Sequence, residues 1–153
     1  MAKTNEKGLE TLQVWQRAVA FATEICRNTL PRFPAHEKWS LTDQLRRSAQ
    51  SVPANIAEGY GRYSFQESVR FCYIARGSLE ETFSHLVLAH RLGYLNDETF
   101  KKLNEQIQDL KRMLNGYISF LKASKRGASE PGANHFTREE PALYLADLDL
   151  PLP

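Results

Sequence analysis

The segment from residue 100 to residue 121 carries apolar side chains at steps of three and four positions without interruption. Such spacing places these side chains on one face of a helix, and the charged residues between them form a solvated opposite face. Similar spacing recurs in earlier segments, and no segment before residue 140 alternates as a strand does. The pattern predicts an all-α chain. The residues of this stripe are Phe100, Leu103, Ile107, Leu110, Leu114, Tyr117 and Leu121.

Prolines and glycines divide the helical part of the chain into four segments. Pro31 and Pro34 end the first segment, since a helix interior does not accommodate proline. Pro53 lies inside the second segment, where we predict a kinked helix rather than a broken one. Gly59 and Gly61 end that helix. Four helices joined by short connections predict an up-down-up-down antiparallel four-helix bundle.

The sequence also predicts helix starts and core faces. Ser64 precedes a helical pattern that continues to Gly93, and Glu67 follows Ser64 at the spacing of a capping box. Asn96 or Asp97 is expected to cap the fourth helix. The predicted core face of the first helix consists of Leu12, Trp15, Val19, Ala22, Cys26 and Thr29. That of the second helix consists of Leu41, Leu45, Ser48, Val52 and Ile56.

The net charge of +2 conceals two oppositely charged regions. Residues 1–126 carry 19 basic and 13 acidic side chains, a net of +6, whereas residues 127–153 carry one basic and five acidic side chains, a net of −4. We expect an N-terminal tail over residues 1–8, a bundle over residues 9–126 and an acidic, Leu/Pro-rich C-terminal tail over residues 127–153. The repeated leucines predict that this tail docks on a groove through Leu143, Tyr144, Leu145, Leu148, Leu150 and Leu152.

Several classes of protein are disfavoured by what the sequence contains. The N-terminal sequence is polar, and no stretch approaches the roughly 18 apolar residues of a membrane span. Cys26 and Cys72 belong to no metal or redox motif, and His85 and His90 are spaced five apart, which is unsuitable for a helical metal pair. No nucleophile, phosphate-loop or dinucleotide motif is present. We therefore expect a reduced cytoplasmic protein with no membrane contact, catalytic activity, cofactor or metal.

The third helix carries a second apolar stripe, rotated by about 100° from the first. The first helix shows the same property. A helix that is apolar on several sides must be buried on more than one. We predict self-association, with the alternative that loops or the C-terminal tail cover the second stripe. The candidate interface residues are Val14, Phe21, Ile25, Phe71, Ile74 and Leu88.

Several motifs occur together in one order. Residues 41–62 read LTDQLRRSAQSVPANIAEGYGR, residues 74–81 read IARGSLEE, and residues 92–95 read LGYL. With the start at residues 12–17, these motifs resemble the four-helix-bundle family first found in intervening sequences of 23S ribosomal RNA genes, often labelled S23 ribosomal protein. The resemblance covers about residues 9–124, and the chain departs from the family mainly after Arg126.

The resemblance implies a homopentamer shaped as a tapered barrel, with a central channel and a basic surface. One relative is the accessory protein of diversity-generating retroelements, which binds nucleic acid and a reverse transcriptase. A protein partner of that kind, RNA or DNA, and further copies of the chain are therefore the expected partners.

The matching motif residues are expected to be structural or to lie in an interface. Glu58 can pair with Arg62, and Asn55 can bond a neighbouring backbone. Gly59 can supply a positive φ at the helix end. Small residues in the second helix, and Gly77 with its neighbour in the third, favour close helix packing. The set comprises Asn55, Glu58, Gly59, Arg76, Gly77, Ser78 and Glu80.

Basic side chains supply the remaining functional signal, because the planar fork of arginine suits phosphate. The candidates for nucleic-acid binding are Arg46, Arg47, Arg62, Arg70, Arg76, Lys101, Lys102, Lys111 and Arg112. We expect a non-enzymatic oligomeric scaffold that binds nucleic acid. The alternative is a protein-interaction adaptor whose tail or apolar groove docks a partner. In a third hypothesis the acidic tail lies over the basic body and competes with polyanions.

Overall fold

The computed structural model describes residues 8–129, and this part of the chain contains no strand. Short 3-10 and π-helical turns precede and connect the long elements. The prediction of an all-α, four-helix bundle is confirmed. The four helices are α1 (Gln13–Glu24), α2 (Leu41–Tyr60), α3 (Phe65–Arg91) and α4 (Asp97–Ser124).

Contacts between side chains give the relative directions of neighbouring helices. The hydroxyls of Ser48 and Thr82 lie 3.0 Å apart, and those of Ser51 and Ser78 lie 2.8 Å apart. Later positions on α2 therefore meet earlier positions on α3, so these two helices are antiparallel. Helix α2 continues through Pro53 from its first to its last residue. The kink expected at Pro53 stays a prediction.

The core lies where the predicted faces of α2 and α4 meet α3. All five predicted core residues of α2 are buried, and five of the seven predicted for α4 are buried. The remaining two, Phe100 and Tyr117, are half-buried and pack against the same cluster. Periodicity located these two faces because each helix has a single apolar stripe.

The first helical segment buries residues from both of its stripes. Ala22 and Thr29 of the predicted face are buried, whereas Trp15 and Val19 are only half-buried. Val14, Phe21 and Ile25 of the second stripe are also buried within the single chain. Both stripes of this helix have helical spacing, so periodicity alone did not separate them. Val14, Phe21 and Ile25 belong to the core of one chain, which corrects their prediction as contacts between copies.

The helix ends follow some sequence signals and depart from others. The Asn96 side chain accepts a hydrogen bond of 2.8 Å from the backbone N–H of Thr99, so the predicted cap of α4 is confirmed. Ser64 precedes α3, but its hydroxyl donates to the Gln66 side chain and makes no capping bond. The predicted capping box is therefore absent.

Gly59 is the last residue but one of α2. Among residues 8–129, the glycines with positive φ are Gly93 and Gly127, so the conformational role predicted for Gly59 is wrong. A Cβ added at Gly59 would lie 2.9 Å from the Cβ of Phe71 and 2.9 Å from the carbonyl oxygen of Ser68. The glycine is needed because α3 passes this close to α2.

The described chain ends beside the turn between α2 and α3. The Arg126 guanidinium donates to the carbonyl oxygens of Tyr63, at 2.7 Å, and Arg62, at 2.8 Å. The backbone N–H of Phe65 donates back to the Arg126 carbonyl. These bonds fix the point from which the C-terminal segment leaves the bundle. The six predicted docking residues of that segment lie outside the described residues.

Candidate interaction surfaces

A row of exposed aliphatic side chains lies along the outer side of α3. Ile74, Leu88 and Leu92 are 43%, 47% and 49% exposed. Steps of 14 and 18 residues from Ile74 bring all three close to one line on a helix with 3.6 residues per turn. We call this surface the α3 face, and it comprises Ile74, Gly77, Glu81, His85, Leu88 and Leu92.

Gly77 leaves a depression in the middle of the α3 face, because it has no side chain. Among residues 8–129, no atom outside the local helix backbone lies within 4 Å of a Cβ added there, so no contact among these residues requires glycine. Glycine in a helix interior costs about 1 kcal/mol relative to alanine. Within one chain this cost has no compensating contact. Close approach by another chain would supply one.

The sixth predicted interface residue, Phe71, has a different environment. Its side chain is half-buried, its Cβ packs against Gly59, and the Arg62 guanidinium lies 5.0 Å from its ring centre. These contacts fill its surroundings within one chain. Of the predicted interface residues, only Ile74 and Leu88 are exposed aliphatic groups on the α3 face.

The motif residues mostly join elements within the chain. The Asn55 side-chain amide donates to the Ser51 carbonyl at 2.8 Å, and Ser51 in turn contacts Ser78 of α3. Glu58 pairs with Arg62 at 2.5 Å, as its spacing predicted. Two further motif residues join α3 to α4. Glu80 pairs with Lys111, and the Arg76 guanidinium donates to the Asn115 side chain.

The nine predicted basic residues do not form one patch. Arg46 and Arg47 share Asp43 near the start of α2, whereas Arg62 lies near its end. The separation between Arg46 and Arg62 is 16 residues, about 24 Å along the axis. Lys101 is exposed, and Lys102 pairs with Glu24 of α1 at 3.0 Å. Arg112 pairs with an aspartate on its own helix.

A smaller group of cations does come together, along the seam between α3 and α4. The Arg76 guanidinium lies 4.9 Å from the centre of the Tyr73 ring, and the Lys122 ammonium lies 5.4 Å from it. Arg70 is exposed one turn earlier on α3. We call this surface the α3/α4 seam, and it comprises Arg70, Tyr73, Arg76, Lys111, Asn115 and Lys122.

Sequence reasoning included Arg70, Arg76, Lys111 and Lys122 in the basic surface and missed Tyr73 and Asn115. A signal for Tyr73 was present, because Arg70, Tyr73 and Arg76 follow one another at steps of three and so share one side of α3. The α4 residues required the register between two helices. That register depends on packing and is not encoded locally.

The shifted pKa values have local structural causes rather than catalytic ones. A hydrogen bond from Ser40 and another from Tyr94 lower the pKa of Glu37, and the bond to Glu37 raises the pKa of Tyr94. A bond from Lys102 lowers the pKa of Glu24. Burial raises the pKa of the Cys72 thiol to about 12, so this thiol is not a nucleophile at neutral pH.

Residues 8–129 contain no group of three or more histidine, cysteine or carboxylate side chains placed to hold a metal ion. In the same range, no helix combines the length and hydropathy needed to cross a membrane. The α3 face carries the exposed aliphatic row, and the α3/α4 seam carries the grouped cations.

Together, the fold and its surfaces define a small helical-bundle protein of the kind found in one known family. A family model described as 23S rRNA-intervening sequence protein matches residues 10–116. A solved structure from Bacteroides thetaiotaomicron, described as a protein with unknown function from the S23 ribosomal protein family, has a TM-score of 0.64 and 25% identity. The match covers 69% of this chain and 97% of that one. No curated protein matches the chain.

The chain belongs to the 23S rRNA-intervening sequence protein family. The match extends from the start of the bundle to the last third of α4, so it includes both surfaces except Lys122.

Proposed function

We propose that this protein is a non-enzymatic scaffold that assembles with copies of itself through the α3 face. The observation that carries the proposal is the row of three half-exposed aliphatic side chains beside a helical glycine that no internal contact requires. Burying the three side chains between copies would remove apolar area from water. The glycine would let the neighbouring backbone approach closely. The resemblance noted above suggests a pentamer.

Replacing Ile74 and Leu88 together with Glu is expected to dissociate the assembly, because it places two charges on the apolar row. Both side chains are already exposed, so the fold should be retained. Chromatography with light scattering should give a multiple of the 17.5 kDa chain for the native protein and one chain for the variant. Trp39→Glu is the control, since Trp39 is 82% exposed and precedes α2. A native protein that runs as a single chain would contradict the proposal.

We further propose that the assembly binds nucleic acid along the α3/α4 seam. Four cations and one tyrosine lie there, and one of the cations, Lys111, is paired with Glu80. Over residues 8–129 the side chains carry 17 positive and 12 negative charges, a net of +5 per chain. Assembly of several chains multiplies this positive charge. The resulting electrostatic attraction acts on phosphate groups and does not depend on the base sequence.

The test compares two triple variants of equal charge change. Arg70→Gln, Arg76→Gln and Lys122→Gln neutralise the seam, whereas Arg46→Gln, Arg47→Gln and Lys101→Gln neutralise basic residues elsewhere. With a fluorescent 20-nucleotide RNA, the seam variant should bind at least about tenfold more weakly. Its plot of log K against log salt should be shallower by about one for each phosphate that the substituted side chains no longer neutralise. Equal weakening by both triples would show that only net charge matters and would reject the seam.

A further inference from the structure

An open groove of about 470 Å³ lies between the start of α1 and the second half of α4. It is lined by Thr11, Leu12, Gln13, Val14, Met113 and Tyr117. Phe120 continues its apolar wall toward the end of α4, with its ring stacked at 6.3 Å from that of Tyr117. We call this surface the α1/α4 groove. None of these residues belongs to the α3 face or to the seam, although the seam also includes residues of α4.

We propose that the C-terminal segment of the same chain, residues 141–153, occupies the α1/α4 groove. This inference does not depend on the proposed function. The sequence predicted that the acidic tail docks on a groove but did not locate that groove. The inference assigns the tail to one surface of the bundle, between α1 and α4.

The path of the chain supports this occupant. Residue 129, the last described, lies just beyond the anchoring bonds of Arg126 at the turn between α2 and α3. The same short segment follows the end of α4 at Ser124. From Ser124 back to Met113 is 11 residues, about 16 Å along the helix axis. The 14 residues from 129 to 143 span up to about 46 Å when extended, so the leucines reach the groove easily.

The chemistry of the segment also fits. Leu148, Leu150 and Leu152 alternate with Asp147, Asp149 and Pro151, so an extended chain presents leucines on one side. Prolines favour that extended form. The other segment outside the described residues, 1–7, reads MAKTNEK and is mostly polar, so it is a poor occupant for an apolar groove.

Charges around the groove set a preferred side for the acidic residues of the tail. Arg17, one turn beyond Gln13 and Val14, is exposed and has no ion-pair partner within residues 8–129. Glu10 lies beside Thr11 on the other side of the lining residues. Asp147 and Asp149 are therefore expected on the Arg17 side, where opposite charges attract.

Photo-crosslinking in the full-length chain tests the occupant directly. A benzoyl-phenylalanine placed at position 120 should crosslink to residues 141–153, and the same probe at exposed Trp39 should not. Mixing isotope-labelled and unlabelled protein distinguishes the possible occupants. Crosslinks within one isotope form support the proposal, whereas mixed crosslinks would assign the groove to a second copy. Crosslinks to residues 1–7, or none to residues 141–153, would also overturn it.

Hydrogen exchange provides a second measurement that does not require a probe. Amides of residues 142–150 should exchange at least about tenfold more slowly in the full-length chain than in a synthetic peptide of residues 141–153, because docking reduces opening. Met113→Glu should remove most of this difference, since it places a charge in the groove. The control Ser119→Glu makes a like change at an exposed position on α4 and should leave it intact. Equal exchange in chain and peptide would overturn the proposal.

Discussion

Gly59→Ala is expected to lower the free energy of unfolding by about 1 to 3 kcal/mol, the usual cost of overpacking a tight interior. The added Cβ would meet the Cβ of Phe71 and the carbonyl oxygen of Ser68, both at 2.9 Å. One of these atoms belongs to the backbone of α3 and the other is joined directly to it, so neither can move without shifting the helix. The better helix propensity of alanine offsets only part of this cost.

Gly77→Ala is the matched control, and its effect should have the opposite sign. This glycine also lies within a helix, but an added Cβ would meet no atom within 4 Å in the described part of the chain beyond the backbone of its own turn. Alanine should therefore raise the free energy of unfolding by about 0.5 to 1 kcal/mol. Urea unfolding at several protein concentrations measures both variants. The same substitution should weaken self-association if the α3 face joins copies. At the lowest protein concentration the free energy of unfolding should therefore rise, while the mass of the oligomer should fall.

The predicted difference between positions 59 and 77 would be contradicted if Gly59→Ala and Gly77→Ala changed the free energy of unfolding in the same direction at the lowest protein concentration. A stabilising Gly59→Ala would mean that α2 and α3 can separate at little cost. In that case the close approach of these helices would not be what requires glycine at position 59.

The second large effect is a loss of stability in alkaline solution through Cys72. The thiol is fully buried in α3, and this burial raises its pKa from 9.0 to about 12. In the unfolded chain the thiol ionises at its ordinary pKa, whereas in the folded chain it stays neutral. Ionisation therefore lowers the free energy of the unfolded state, whereas the folded state, in which the thiol stays neutral, is not stabilised in this way.

The sign of the effect follows from the raised pKa. Below pH 9 the thiol is neutral in both states, and the stability of the fold is unaffected by its titration. Between pH 9 and pH 12 stability falls, because only the unfolded state releases the proton. A difference of about three pKa units corresponds to a loss of about 4 kcal/mol at the top of this range, as an order of magnitude. Burial also raises the pKa of Tyr117 to about 12, which acts in the same direction.

Cys72→Ala separates the thiol from other alkaline effects. The variant should be about 1 kcal/mol less stable at pH 7, because a buried atom is lost. Its stability should then fall less steeply from pH 9 to pH 12 than that of the native protein. Urea unfolding at a series of pH values gives both slopes, and Cys26→Ala is the control, since this thiol is only partly buried. Parallel slopes for the native chain and Cys72→Ala would exclude the buried thiol as the cause.

How much the sequence predicted depended on whether a helix had one apolar stripe or two. In α2 and α4 one stripe dominates, and the predicted core residues are buried or half-buried in the core. In α1 two stripes have equal periodicity, and residues of both are buried: Ala22 from the predicted stripe, Val14 and Phe21 from the other. Which residues of each stripe are buried depends on the neighbouring helices, whose position a local pattern does not contain.

The candidate surfaces divide in the same way. Arg70 and Arg76 were predicted as basic residues from composition alone, but their grouping with Lys122 around Tyr73 depends on the register of α3 against α4. Arg46 and Arg62 were both predicted to bind nucleic acid, and they lie near different ends of α2. Distance along a sequence does not report proximity across a bundle.

By itself, the sequence determined the helical class, the two clear core faces, the cap at Asn96 and the division of charge between a basic body and an acidic tail. These features depend on periodicity, local hydrogen bonding and composition, all of which are properties of short segments. Tertiary structure alone decided which residues of the two α1 stripes are buried, why position 59 requires glycine while position 77 has room for a larger residue, and which cations share a surface. Each of those facts depends on how closely and in what register two helices meet, and only packing sets that distance.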